Sequence, residues 1–128
     1  MIVIRNIDHV VIRAADIDRA LAFYCGVLGC VEVRRVAGIG LVQLQAGAAM
    51  IDLIDASGDP PADGAANMDH FALRLEAFDE AAIRAHLAEH GIKAGPLQQR
   101  FGAEGRGPSL YIEDPDGNVV ELKGSSLD

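Results

Sequence analysis

Residues 8–13 read DHVVIR, and residues 69–75, 61 positions later, read DHFALRL. Each is an Asp-His pair running into an apolar strand. After each copy comes a helix-like stretch that ends near glycine, at GVLG (26–29) and EHG (89–91). Each half then closes on an apolar strand with one acid in its middle, MIDLI (50–54) and VVELK (119–123). A half-length repeat with one histidine and one carboxylate per copy suggests a metal site built at a pseudo-twofold axis.

The elements between these landmarks follow from local pattern. Residues 2–13 alternate as a strand. Asp16 offers an N-cap, and Ile17, Ala20, Leu21, Tyr24, Val27 and Leu28 fall on one helical stripe that Gly29 ends. Strands are expected near 30–36, 39–46 and 48–54. Residues 55–68, DASGDPPADGAANM, are rich in glycine and proline and read as a linker. A strand over 69–75 and an alanine-rich helix over 78–90 open the second half. Strands near 92–100, 108–113 and 118–123 complete it, with DPDGN (114–118) as a turn. The order is βαβββ, linker, βαβββ. The fold class expected is α+β: paired βαβββ modules forming a cupped mixed sheet with helices on the outer face. One domain over residues 1–128 is expected, with module one at about 1–56 and module two at about 68–124.

Composition narrows the function. The chain has 128 residues, half of them hydrophobic, which is enough to bury a core. Net charge is −8, which argues against nucleic acid and against anionic membranes as partners. No apolar run reaches the length of a membrane span, and MIVIRNIDHV reads as a strand rather than a secretory signal. Cys25 and Cys30 have no framework or CxxC spacing, so the expectation is a reduced, cytoplasmic protein with both as small hydrophobes. An anionic small molecule remains open as a ligand if arginines gather locally, with Arg34, Arg35, Arg100 and Arg106 as candidates.

Strand parity sorts the polar groups. Val10 and Ile12 oppose His9, Val11 and Arg13. Phe71, Leu73 and Leu75 oppose His70, Ala72 and Arg74. Ile51 and Leu53 oppose Asp52, and Val120 and Leu122 oppose Glu121. Each strand therefore has an apolar face for a helix and one metal-capable side chain on the other. A lone histidine on a half-buried strand is more often a hydrogen-bonded packing residue than a ligand. Two histidines and two carboxylates at matching places favour a site, because a buried carboxylate without a partner is strongly disfavoured and a cation removes that cost.

With these residues in view, the chain resembles the vicinal oxygen chelate superfamily. That group includes glyoxalase I, bleomycin-resistance proteins, fosfomycin-resistance enzymes, methylmalonyl-CoA epimerase and extradiol dioxygenases. The resemblance spans nearly the whole chain and is most specific at DHVVIRAADIDRALAFYCGVLG (8–29), MDHFALRL (68–75) and GPSLYIEDPDGNVVELKG (107–124). It implies that His9, His70 and Glu121 ligate a divalent metal. The place of a fourth ligand, a glutamate in glyoxalase I enzymes, is held here by Asp52, one methylene shorter. The fosfomycin enzymes look similar with only the His, His, Glu set. The resemblance also implies a homodimer with the site at the subunit interface.

The expected chemistry is Lewis-acid catalysis by Zn, Ni, Co, Mn or Fe(II), which sequence does not separate, on a small molecule with vicinal oxygens. Glu121 or Asp52 is the candidate general base. Arg100 and Arg106 flank a glycine-rich segment that reads as a mobile loop clamping a substrate anion, or else as solvated charge. Ser109 and Tyr111 share a parity that faces the cup. His86 and His90 stand four apart on a helix without an evident third ligand. A glyoxalase-type lyase or isomerase is the leading function. The alternatives are a fosfomycin-type resistance enzyme, an Fe(II) dioxygenase-like enzyme, and a non-catalytic drug-binding resistance protein.

Overall fold

Each Asp-His stretch leads to a strand that pairs in parallel with the strand closing its own half. The structure, a computed structural model, describes residues 3, 6–58, 68 and 70–126. The chain divides into two units, Met1–Asp63 and Gly64–Asp128. Each carries a four-stranded mixed sheet, and the class is α+β.

In the first unit, β1 (His9–Ala14) is followed by helical residues, then β2 (Val31–Val36), β3 (Leu41–Ala46) and β4 (Ala49–Asp55). The spatial order is β1-β4-β3-β2. Two antiparallel connections bring β4 back beside β1. A parallel pair cannot be closed by a tight turn, so the helix and the two strands between them form the crossover. The register aligns Ile12 with Leu53, Val42 with Leu53, and Leu44 with Ile51. These side chains are buried, together with Ala20, Phe23 and Tyr24.

The helix differs from the single stripe expected. It is α-helical only over α1 (Ile17–Leu21) and continues as π-helical turns over Ala22–Val27. Asp16 caps it as expected, accepting from the Arg19 amide at 3.1 Å. The wider turn changes which residues face inward. Phe23, off the expected stripe, is buried edge-on against Tyr24 with ring centroids 4.9 Å apart.

In the second unit, β5 (Phe71–Arg74) is followed by α2 (Glu80–Glu89), β6 (Gln98–Gly102), β7 (Gly105–Glu113) and β8 (Val119–Lys123). The order β5-β8-β7-β6 repeats that of the first unit. Asp79 caps α2 by accepting from the Ala82 amide. Gly91, at φ +70°, ends it, and the Ile92 amide turns back to the Leu87 carbonyl. The DPDGN turn is held by the Asp114 carboxylate, which accepts from the Asp116 and Asn118 amides and the Asn118 side chain. That turn fixes the β7–β8 register, setting Tyr111 opposite Glu121 and Ser109 opposite Lys123.

Two expectations change here. The strand expected over 92–100 starts only at Gln98 and runs to Gly102. The glycine-rich segment is not a loop but a hairpin: Arg100 pairs with Gly107, Phe101 with Arg106 and Gly102 with Gly105. The glycines read as loop residues because they lack side chains, yet two of them stand where another chain segment passes close. A Cβ on Gly107 would come 2.6 Å from the Ser125 carbonyl carbon, and one on Gly102 would come 2.7 Å from Lys123 Cε. The strand expected over 2–13 starts only at His9, with residues 6–8 leading into it outside the strand, and Asp69, residues 2, 4 and 5 of that expected strand and residues 59–67 of the linker lie outside the described residues. Among the described residues no helix is long and apolar enough to cross a membrane.

Candidate metal centre

In the first unit the pairing sets Val11 beside Asp52 and His9 beside Met50, so His9 and Asp52 share the sheet face opposite the buried core. Asp52 is buried, at 6% exposure. Its Oδ2 accepts one hydrogen bond from Gln43 Nε2 at 3.2 Å, and Gln43 Oε1 in turn accepts from Arg34 at 3.2 Å. The three residues form one row across β2, β3 and β4. Asp52 Oδ1 is buried with no hydrogen-bond partner. Leaving a carboxylate oxygen dry and unpaired is costly.

His9 is held from outside the sheet. Its Nδ1 lies 2.7 Å from Asp8 Oδ1. That hydrogen bond, with a smaller pull from the Asp52 charge, raises the imidazole above its usual 6.5. The raised value favours the protonated ring, so the stabilisation it gives is present at low pH and is lost as pH rises through the folded value. In metal-free protein, His9 is expected to titrate by NMR above an ordinary histidine. Asp8→Asn should bring it down, and an unchanged midpoint would show that Asp8 does not control it.

In the second unit, Glu121 is 5% exposed and engages a partner through each oxygen. Oε1 accepts from the fully buried Ser109 hydroxyl at 2.6 Å, a short charge-assisted bond. Oε2 lies 3.3 Å from His70 Nε2. The Tyr111 ring stands edge-to-face on His70 at 5.4 Å and limits its tilt. Register puts Ser109, Tyr111, Ala72 and Glu121 on one face. Ser109 and Tyr111 thus share that face as their parity implies, but the Ser109 hydroxyl is committed to Glu121. The roles of Gln43 and Ser109 towards the acids were not read from the sequence. Parity could have found them, because each stands on the strand beside the acid it serves.

The donors suit a divalent cation: imidazole nitrogens and carboxylate oxygens, with one oxygen unpaired. They occur as a pair in each unit, and among the described residues no group of three or more His, Cys, Asp and Glu side chains gathers into a cluster. His86 and His90 bring their rings within 4.9 Å of each other without such a cluster around them.

The arginines divide. Arg100, opposite Gly107, lies on the face of Ser109 and Tyr111, where it donates to the Gln99 carbonyl and Gln98 Oε1. Arg106, opposite Phe101 and odd with respect to Ser109, lies on the other face. Both belong to a paired hairpin rather than to a loop. Cys25 and Cys30 are free thiols. Burial, aided by Cys25, pushes the Cys30 thiol up to about 11, so it should resist a disulfide-exchange reagent at neutral pH. Rapid labelling of Cys30 in the folded protein would contradict its burial.

A cavity of about 200 Å³ in the second unit is walled by Ala72, Arg74, Gly102, Glu104, Glu121 and Lys123, among others. A larger depression of about 580 Å³, near Lys93 and Asp114, includes none of the four candidate donors in its wall.

The chain is similar to proteins of one kind. It is 33% identical to the glyoxalase domain-containing protein RDO1 of Mycosarcoma maydis, over 93% of this chain and 68% of that protein. An integron cassette protein of V. cholerae, VCH_CASS1, superposes with a TM-score of 0.79 at 28% identity, covering 98% of this chain and 99% of the other. A lactoylglutathione lyase from Agrobacterium tumefaciens does so with a TM-score of 0.68 at 29% identity, covering 95% of each. The family profile of the Glyoxalase/Bleomycin resistance protein/Dioxygenase superfamily matches residues 6–122, and the chain belongs to that superfamily.

Proposed function

We propose that this protein is a metal-dependent enzyme of the lyase or isomerase type, acting on a small molecule with two neighbouring oxygens. His9, His70 and Glu121 supply the ligands, with Asp52 as the fourth. The observation that carries this reading is the buried, unpaired Asp52 Oδ1 on the face it shares with His9, matched in the second unit by the Glu121–His70 contact. Membership of the superfamily and the likeness to a lactoylglutathione lyase support the class of reaction.

A bound divalent cation would supply Lewis-acid polarisation of the chelated oxygens. The residues prepare the rest. Ser109 fixes one Glu121 oxygen and leaves the other towards His70. Gln43 holds Asp52 Oδ2, so Oδ1 is the oxygen left to face a cation, and Glu121, or Asp52 once swung free of the cation, is the base to take a proton from the carbon beside the substrate oxygens. Tyr111 limits motion of the His70 ring. The working unit is a homodimer, which light scattering on the eluting protein would establish.

Plasma mass spectrometry on the purified protein tests the metal, and turnover of lactoylglutathione against oxygen uptake with a catechol tests the reaction. Protein that stays metal-free after purification and reloading would end the enzyme reading. Oxygen uptake with Fe(II), and not lyase activity, would move the assignment to a two-histidine, one-carboxylate iron enzyme. Gln43→Leu keeps every ligand but releases Asp52. It is expected to weaken metal binding by about 10–100-fold, the usual cost of losing a partner behind a ligand. Unchanged affinity in a competition titration would remove Asp52 from the ligand set.

A further inference from the structure

Lys123 lies two residues beyond Glu121 on β8 and is 7% exposed. Register places it on the face of Glu121 and Ser109, opposite Arg74 on the neighbouring strand. Its stem runs over Gly102, where a Cβ would come 2.7 Å from Cε and 3.2 Å from Cδ. The glycine is therefore what lets the lysine lie there. The ammonium donates to the Gly124 carbonyl at 3.0 Å, and among the described residues no carboxylate pairs with it. An ammonium has three donors, so a single carbonyl leaves it under-used.

Lys123, Gly102, Gly124, Arg74 and Glu121 all wall the cavity of about 200 Å³. Arg74 is matched there by Glu104 at 2.9 Å, and Glu121 by Ser109 and His70. Lys123 is the charge left over. A buried cation without a counter-charge is disfavoured unless an anion meets it. The cavity is smaller than the roughly 300–1,000 Å³ that takes a drug-sized ligand, so it suits one group of a substrate.

We propose that Lys123 and the Gly102 gap beside it form an oxyanion subsite, and that the substrate carries a carboxylate or phosphate-type group there. This rests on the proposed metal reading for its place beside Glu121, but not for its existence. Lys123 then selects acidic substrates. The glycine-rich hairpin serves it by leaving room for the lysine, in place of an arginine clamp built from Arg100 and Arg106.

The test uses the full chain, chelator-treated, titrated with inorganic phosphate and separately with acetate and followed by amide NMR. Both anions are expected to shift the Gly102 and Gly124 amides. Lys123→Gln should weaken binding by about tenfold or more, as loss of a charged hydrogen bond does, and Lys123→Arg should retain part of it. Gly102→Ala, which keeps the charge but displaces the ammonium, should weaken it as well, and it serves if Lys123→Gln fails to fold. Absence of binding to the wild type, or wild-type binding retained by Lys123→Gln and Gly102→Ala, would overturn the subsite. Phosphate without acetate would fix the group as phosphate-type, and acetate without phosphate as a carboxylate. Metal content measured on the same variants separates the two readings: a protein that binds anions but never metal loses the proposed function and keeps the subsite.

Discussion

His70→Ala is expected to empty the protein of divalent metal. His70 Nε2 faces Glu121 Oε2 at 3.3 Å, and the ring has the Tyr111 edge-to-face contact to hold it. Removing it deletes one of two imidazole donors and leaves Glu121 anchored only by Ser109 among the described residues. Loss of a partner behind a ligand costs about 10–100-fold in affinity, so loss of a ligand should cost more. After dialysis, plasma mass spectrometry should find metal in the wild type and background in the variant. Glu121→Gln, with the same shape and no charge, should behave alike, because a neutral amide is a poor donor to a hard or borderline cation. His86→Ala is the control and should keep its metal. Metal retained at wild-type stoichiometry by His70→Ala would sink the ligand assignment while leaving the fold untouched.

Much of this was legible in the sequence because strands alternate. Asp-His at 8–9 and 69–70, with Asp52 and Glu121, could be placed opposite apolar neighbours by parity alone, and the register places the two acids so. The DPDGN turn was legible because its aspartate and glycine each have one conformational reason to be there. Two features were not legible, for physical reasons. The π-helical turns that bury Phe23 arise from packing and not from periodicity. The β6–β7 hairpin reads as a loop because glycine has low strand propensity, whereas its place is decided by the chain crossing over it. The hydrogen bonds that Gln43 and Ser109 give to the acids were within reach of parity, because each stands on the hairpin strand just before its acid.

The crossing itself yields the largest effect expected on stability. Gly107→Ala should destabilise the protein by about 1–3 kcal/mol, in the range of other overpacked sites. The added Cβ would stand 2.6 Å from the Ser125 carbonyl carbon and 2.8 Å from the Gly124 carbonyl oxygen, both backbone atoms. A flexible side chain would swing away, but here the passing segment is tied. The Gly124 amide donates to the Pro108 carbonyl at 2.8 Å, and the Leu75 amide to the Lys123 carbonyl at 2.9 Å. Either bond must lengthen or β7 must move, and β7 carries Ser109 and Tyr111 to Glu121 and His70. Gly26→Ala is the opposite case. It sits in the helical turns with nothing within 4 Å of the new Cβ, and reduced unfolded-chain freedom should stabilise it by roughly 0.4–1 kcal/mol. Urea unfolding of both variants compares them directly. The midpoint should fall for Gly107→Ala and hold or rise for Gly26→Ala, with similar slopes. Equal midpoints would mean that the segment after β8 does not pass as close to β7 as its hydrogen bonds require. A fall in stability accompanied by weaker metal binding would tie the glycine at 107 to the placement of Glu121, since the substitution touches no ligand and no charge.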